Sequence, residues 1–140
     1  MRKRIRKVLV GGTFNLLHPG HMFFLGKARE YGDHLTVVLA TDERVLQTKG
    51  FLIFTSEERK NLVQNLKYVD NVVIGDDENM FRVVEDERPD VIVLGHDQDF
   101  DVNGLKRFLE EKGIECKIVR IQEKLDNYST SEIVERIKRL

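Results

Sequence analysis

Five short runs of β-branched and aliphatic residues, separated by stretches with helical spacing, constrain this chain more than any other feature of it. The runs are Val8-Leu9-Val10, residues 35–40, Asn71-Val72-Val73-Ile74, Val91-Ile92-Val93-Leu94 and residues 115–121. Between them, apolar residues recur at helical spacing, as in Phe24, Leu25, Ala28 and Tyr31. Strand and helix patterns that alternate along a whole chain imply an α/β fold, a doubly wound parallel sheet wrapped by helices. Across 140 residues there is no Pro/Ser-rich linker, repeat or low-complexity tract, so residues 1–140 read as a single domain.

The helices carry their own punctuation. Thr55 with Glu58 forms a capping box that opens a helix running through Leu66, and Ser129 with Glu132 forms another. Gly32 and Gly113 stand where helices end, Met80 to Glu87 is stopped by Pro89, and Gly104 to Lys112 turns Leu105, Phe108 and Leu109 inward. In the final helix Ile133, Ile137 and Leu140 fall on one side, predicted to face the core.

The junction after the first strand is where the chemistry concentrates. Residues 11–21 read Gly-Gly-Thr-Phe-Asn-Leu-Leu-His-Pro-Gly-His. Pro19 suits the first position of a helix, because its missing N–H would be unpaired there and its φ is already helical. His18 is then the N-cap and His21 the third helical residue, so both imidazoles stand where free N–H groups and the positive end of the macrodipole attract phosphate. Gly11, Gly12 and Gly20 carry no Cβ and let a polyphosphate approach the backbone. The segment is suited to phosphoryl or nucleotidyl chemistry, with His18 and His21 donating to phosphate oxygens.

Composition narrows the alternatives. Net charge is -1 and charged residues make up 34% of the chain, which gives nucleic acid no claim as a partner. The cluster Arg2, Lys3, Arg4, Arg6, Lys7 is short and reads as a solvated edge. No stretch of about 18 apolar residues and no apolar leader core is present, which predicts a cytoplasmic protein without membrane contact. Cys116, the single cysteine, allows no internal disulfide and reads as a buried inert thiol.

Further candidates lie at the carboxyl ends of strands, where doubly wound sheets collect ligands. Thr41-Asp42-Glu43 follows the second strand and opens a short helix over residues 42–47. Lys49 could reach a triphosphate or stand solvated. The run Phe51-Leu52-Ile53-Phe54 lines a substrate pocket, forms a dimer contact or covers the core. Arg59 sits near a helix N-terminus, where a cation works against the dipole unless an anion is present, making it a candidate phosphate ligand. Asp76, Asp77 and Glu78 lack the spaced ligands and glycine of a calcium loop and read as solvated acid. Gly95-His96-Asp97-Gln98 ends the most continuous apolar strand, and Asp97 can accept from a base amino group or a ribose hydroxyl. Arg120 and Lys124 come at or after the end of the last strand. Thr130 and Ser131, with the free N–H groups after Ser129, offer a second phosphate cradle.

Residues 11–21 resemble the GTFDxxHxGH signature of the cytidylyltransferase-like nucleotidyltransferase superfamily, with His18 and His21 on its histidines and Asn15 where the family usually has Asp. Residues 95–100 resemble the GxDQxF segment of archaeal FAD synthases, and Tyr128 with Ser129 to Ile133 resembles the C-terminal STxxI motif with its preceding tyrosine. The resemblance runs from Val8 to Ile137. It implies a Rossmann-like five-stranded sheet in the order 3-2-1-4-5 with helices on both faces. It also implies attack of a substrate phosphate on the α-phosphate of a nucleoside triphosphate, with release of pyrophosphate. His18, His21 and Arg59 would be catalytic. Gly12, Thr13, Phe14, His18, Pro19, Gly20, His21, Lys49, Asp97, Tyr128, Ser129, Thr130 and Ser131 would bind the nucleotide. A divalent cation, Mg²⁺, would be carried by the nucleotide with no protein cage.

The substrates so implied are ATP and FMN, giving FAD, in a homodimer. Two other readings remain open. One is a CTP:glycerol-3-phosphate cytidylyltransferase, supported by Tyr68-Val69-Asp70 but lacking that family's usual Trp. The other is a nucleotide-binding regulator that keeps the fold without turnover.

Overall fold

The computed structural model describes residues 4–79, 81–96 and 98–140. Among them β1 (Lys7–Gly12), β2 (His34–Leu39), β3 (Asn71–Ile74), β4 (Val91–Leu94) and β5 (Lys117–Arg120) form one parallel sheet in the order β3-β2-β1-β4-β5. The connections carry α1 (Pro19–Arg29), α2 (Asp42–Lys49), α3 (Ser56–Gln64), α4 (Arg82–Glu87) and α5 (Val102–Lys112), and α6 (Thr130–Lys138) closes the chain. This is the Rossmann-like arrangement expected from the sequence.

Alternation along the strands explains the two layers. Val8 and Val10 pack with Leu25 and Ala28 of α1 and Val63 of α3, whereas Leu9 joins Ile92, Leu94 and the α5 residues Leu105 and Leu109 on the other side. Helices therefore cover both faces, and β4 is buried at all four positions, as a central parallel strand must be.

Pairing is uneven at the carboxyl end of β1, and this asymmetry opens the site. β1 pairs with β2 as far as Gly12↔Leu39, but with β4 only at Val8↔Val91 and Leu9↔Ile92. β1 and β4 are the neighbours between which the strand order reverses, and a crevice at such a point receives ligands in open α/β sheets. At the amino ends three aspartates do structural work. Asp33 accepts from the Arg6 N–H, Asp70 from the Leu35 N–H and Asp90 from the Lys7 N–H, with Arg29 paired to Asp70 and Arg4 to Asp90.

Some local expectations change. Gly32 does not end α1 through a left-handed turn; a Cβ there would lie 2.6 Å from the Arg6 carbonyl oxygen, so the residue is needed for close packing. The acidic loop is structural: Asp76 accepts from the Glu78 and Asn79 N–H groups, which, with Arg82, hold its carboxyl below the usual range. Asp77 accepts from the Thr41 hydroxyl. At the C-terminus Ser129 caps α6 by accepting from the Glu132 N–H. Ile137 is 56% exposed and Leu140 fully so; the apolar side of α6 is not sealed against the core as the periodicity predicts.

Candidate active site

α1 begins with a capping box made by two histidines. The His18 Nδ1 accepts from the Gly20 N–H at 3.0 Å, and the His21 Nδ1 accepts from the His18 N–H at 3.2 Å. The rings lie one over the other, with centroids 3.9 Å apart and planes tilted by 36°. Because both Nδ1 atoms accept, each neutral ring carries its proton on Nε2, away from its capping bond. Burial lowers the His18 pKa from its ordinary value; burial, and then the neighbouring His18, push His21 down from 6.5 to about 3. Near neutral pH the pair is uncharged, two Nε2–H donors at a helix N-terminus.

That shift makes a prediction about stability. Between 6.5 and about 3 the unfolded chain binds a proton on His21 that the folded chain does not, so stability rises with pH across this window and is lost as pH falls through it. Urea unfolding midpoints should drop between about pH 7 and about pH 4.5, and His21→Asn should flatten the dependence. An equal slope in both proteins would assign the acid sensitivity to other groups.

The turn before α1 holds the pair in place. Phe14 is 4% exposed and adopts the left-handed φ of 48°, with its ring 4.9 Å from that of His21. A Cβ at Gly12 would sit 2.8 Å from the Phe14 ring, and one at Gly20 would sit 2.8 Å from the His18 ring, so these two glycines leave room for the aromatic stack. The same Gly20 position is 3.1 Å from the Tyr128 carbonyl oxygen, which brings the start of α6 beside the start of α1. Thr130 is half-buried, and the Ser129 and Ser131 hydroxyls are hydrogen-bonded to each other at 3.1 Å. Arg136 stacks over the Tyr128 ring at 5.1 Å and donates to the Asn127 carbonyl.

Arg59 is placed beneath the site, not facing it. It is 1% exposed, and its guanidinium donates to the carbonyls of Phe54, Thr13 and Ala40 and to the Asp42 carboxylate, at 2.7–3.1 Å. Four of its five N–H donors are engaged with the protein, which leaves no open face for a phosphate. The dipole argument that made Arg59 a phosphate ligand overlooked this other way of offsetting a cation near a helix start. Lys49 ends α2 on the exposed surface, followed by Gly50 with φ 85°. Asp97 lies outside the described residues.

Three residues not singled out for these tasks shape the rim. Gln98 accepts from the Gly95 N–H and donates to the Gly11 carbonyl, while Arg120 donates to the carbonyls of Gly95 and Gln98. Gln98 thus ties the loop after β4 to the carboxyl end of β1. Asn15, 2% exposed, donates to the Phe51 carbonyl at 3.0 Å and accepts from the Ile53 N–H at 2.8 Å. An aspartate there would lack the donor, which gives a local reason for the departure from the usual signature residue. Its sequence signal was that departure itself.

The cytidylyltransferase-like family profile matches residues 9–136, which includes both histidines and the α6 start. The chain belongs to this family. It is 43% identical over 128 residues to an FAD synthase of Archaeoglobus fulgidus, covering 90% of this chain and 93% of that one. With an FAD synthase of Pyrococcus horikoshii the identity is 43% over 135 residues, covering 94% and 91%. Among solved structures, a lipopolysaccharide core biosynthesis protein from Thermoplasma volcanium superposes with a TM-score of 0.80 at 37% identity, over 88% of this chain and 100% of the other. A pantoate-beta-alanine ligase from Francisella tularensis, at 15% identity and a TM-score of 0.59, covers 100% of this chain and 72% of its own and shares the fold. This family member is a nucleotidyltransferase. Among its described residues no helix is long and apolar enough to cross a membrane.

Proposed function

We propose that the protein transfers the adenylyl group of ATP to FMN, forming FAD and pyrophosphate. The observation that carries this reading is the pair of Nδ1-anchored imidazoles at the start of α1, in a chain whose relatives at 39–43% identity are named FAD synthase. An oxygen of the FMN phosphate attacks the α-phosphorus of ATP, and its new P–O bond forms as the bond to pyrophosphate breaks. A phosphate monoester is largely ionised near neutral pH, its second pKa being about 6, so the reaction needs no base to make the nucleophile. What it needs is donors aimed at developing charge, and neutral Nε2–H groups supply them without desolvating a cation.

In this reading His18 and His21 donate to the α-phosphate oxygens, and Gly12 and Gly20 serve them by leaving room for the ring stack, not by opening the backbone to the triphosphate as the sequence suggested. The α6 start with Ser129, Thr130 and Ser131, next to Gly20, receives the terminal phosphates, and Lys49 and Asp97 remain candidate nucleotide contacts. Arg59 acts as a positioning residue through the Thr13 carbonyl. A divalent cation would arrive on the triphosphate. That ion would neutralise phosphate charge.

Incubation with ATP, FMN and Mg²⁺ should yield FAD and pyrophosphate in equal amounts. Turnover with CTP and glycerol 3-phosphate in place of that pair, or tight nucleotide binding without product, would refute the assignment.

A further inference from the structure

The geometry points to Phe51 and Ile53 as the apolar surface against which the planar ring system of the acceptor rests, an inference that rests on the FMN reading above. Exposure alternates along this segment, which bends at Ile53 and Phe54: Phe51 is 41% exposed and Ile53 39%, whereas Leu52 and Phe54 are half-buried. Asn15 ties the main chains of both exposed residues to the one side chain. Two apolar residues held out beside a site built for charged phosphates call for a ligand with an apolar part.

The segment is fastened to the signature turn at both ends. Asn15 bonds Phe51 and Ile53 through their main-chain groups, and Arg59 bridges the Phe54 and Thr13 carbonyls. Asn15 follows Phe14, whose ring lies against His21. The amide bonds also determine which way Asn15 points, since its oxygen must meet an N–H and its nitrogen a carbonyl. These bonds hold the main chain of the pair in one shape, so the ligand does not have to order the backbone that carries the two side chains. An exposed aromatic ring on an anchored main chain suits a flat heteroaromatic partner, whose face stacks on it. Two side chains fall far short of the roughly 800 Å² per partner that a stable protein interface buries, which favours a small ligand over a second copy.

Steady-state kinetics with ATP and FMN test this, together with quenching of flavin fluorescence when FMN is titrated into the protein without ATP. Phe51→Ala is expected to raise KM for FMN and weaken quenching by about tenfold, as loss of one stacking partner does, and to leave KM for ATP within about twofold. Phe51→Tyr should restore both. The site is exposed, so folding should be unaffected. Unchanged KM for FMN, or an equal rise for both substrates, overturns the inference. So does a smaller assembly in sedimentation with FMN kinetics intact, which would assign the pair to a contact between copies. An unaltered protein that neither quenches FMN nor makes FAD overturns the parent reading and this one with it; normal FAD formation with a silent Phe51→Ala overturns this one alone.

Discussion

His21→Asn is expected to slow nucleotidyl transfer by about 10²–10³-fold, the effect of removing one preorganised donor from developing charge. Asparagine is the informative replacement because His21 has two tasks. Its Nδ1 accepts the His18 N–H and completes the helix cap, which the shorter amide oxygen can still do. Its Nε2–H faces away from that bond, and asparagine has nothing there. Stability near neutral pH should therefore stay within about 1 kcal/mol of the unaltered protein, the value of a typical cap, while turnover collapses. His21→Ala should lose both. A His21→Asn enzyme working within about tenfold of the original rate would remove His21 from the donor role, since a missing oxyanion donor costs more than that.

Arg59→Met should have the largest effect on folding, about 3–5 kcal/mol, as when one member of a buried ion pair is removed. Methionine fills much of the volume but leaves the carbonyls of Thr13, Ala40 and Phe54 without their donor, and these lie in three separate segments. Asp42 is partly exposed and can return to water, so its share of the cost is smaller. Because whole domains are stable by only about 5–15 kcal/mol, the variant will sit near its unfolding midpoint without denaturant. Arg59→Lys should recover a minor part, since an ammonium presents its donors from one point and cannot span three carbonyls. Urea unfolding measures both. If instead stability were unaltered and only KM for ATP rose, Arg59 would be a phosphate ligand after all.

The sheet, its order and the start of α1 were legible in the chain because the signals that specify them are local or come from a long motif. Strand runs and helical stripes repeat along the sequence, Pro19 marks a first helical position, and the spacing of His18 and His21 places two rings on one end of a helix whatever surrounds it. The resemblance put both the start of α1 and the C-terminal motif on the nucleotide; that the Tyr128 carbonyl lies against Gly20 is a fact of the tertiary structure. Other signals misled because their outcome was not local. The apolar positions of α6 predict a buried side, yet Ile137 stays exposed, since periodicity tells which residues share a side and not whether another element covers it.

Arg59 and Asn15 mark the boundary most clearly. From residue type and place in the helix, Arg59 had to meet negative charge or carbonyl oxygen, and nothing nearer could say which. The choice fell to Thr13 and Ala40, brought within 2.8 Å by the packing of β1 and β2. Asn15 could be recognised as unusual in the chain, but its partners are more than 35 residues away, and a hydrogen bond across such a distance exists only once the sheet has assembled. Local pattern wrote the elements and the two imidazoles; assembly chose which polar groups would face a ligand and which would hold the turn, because a buried donor must be satisfied by whatever the fold places beside it.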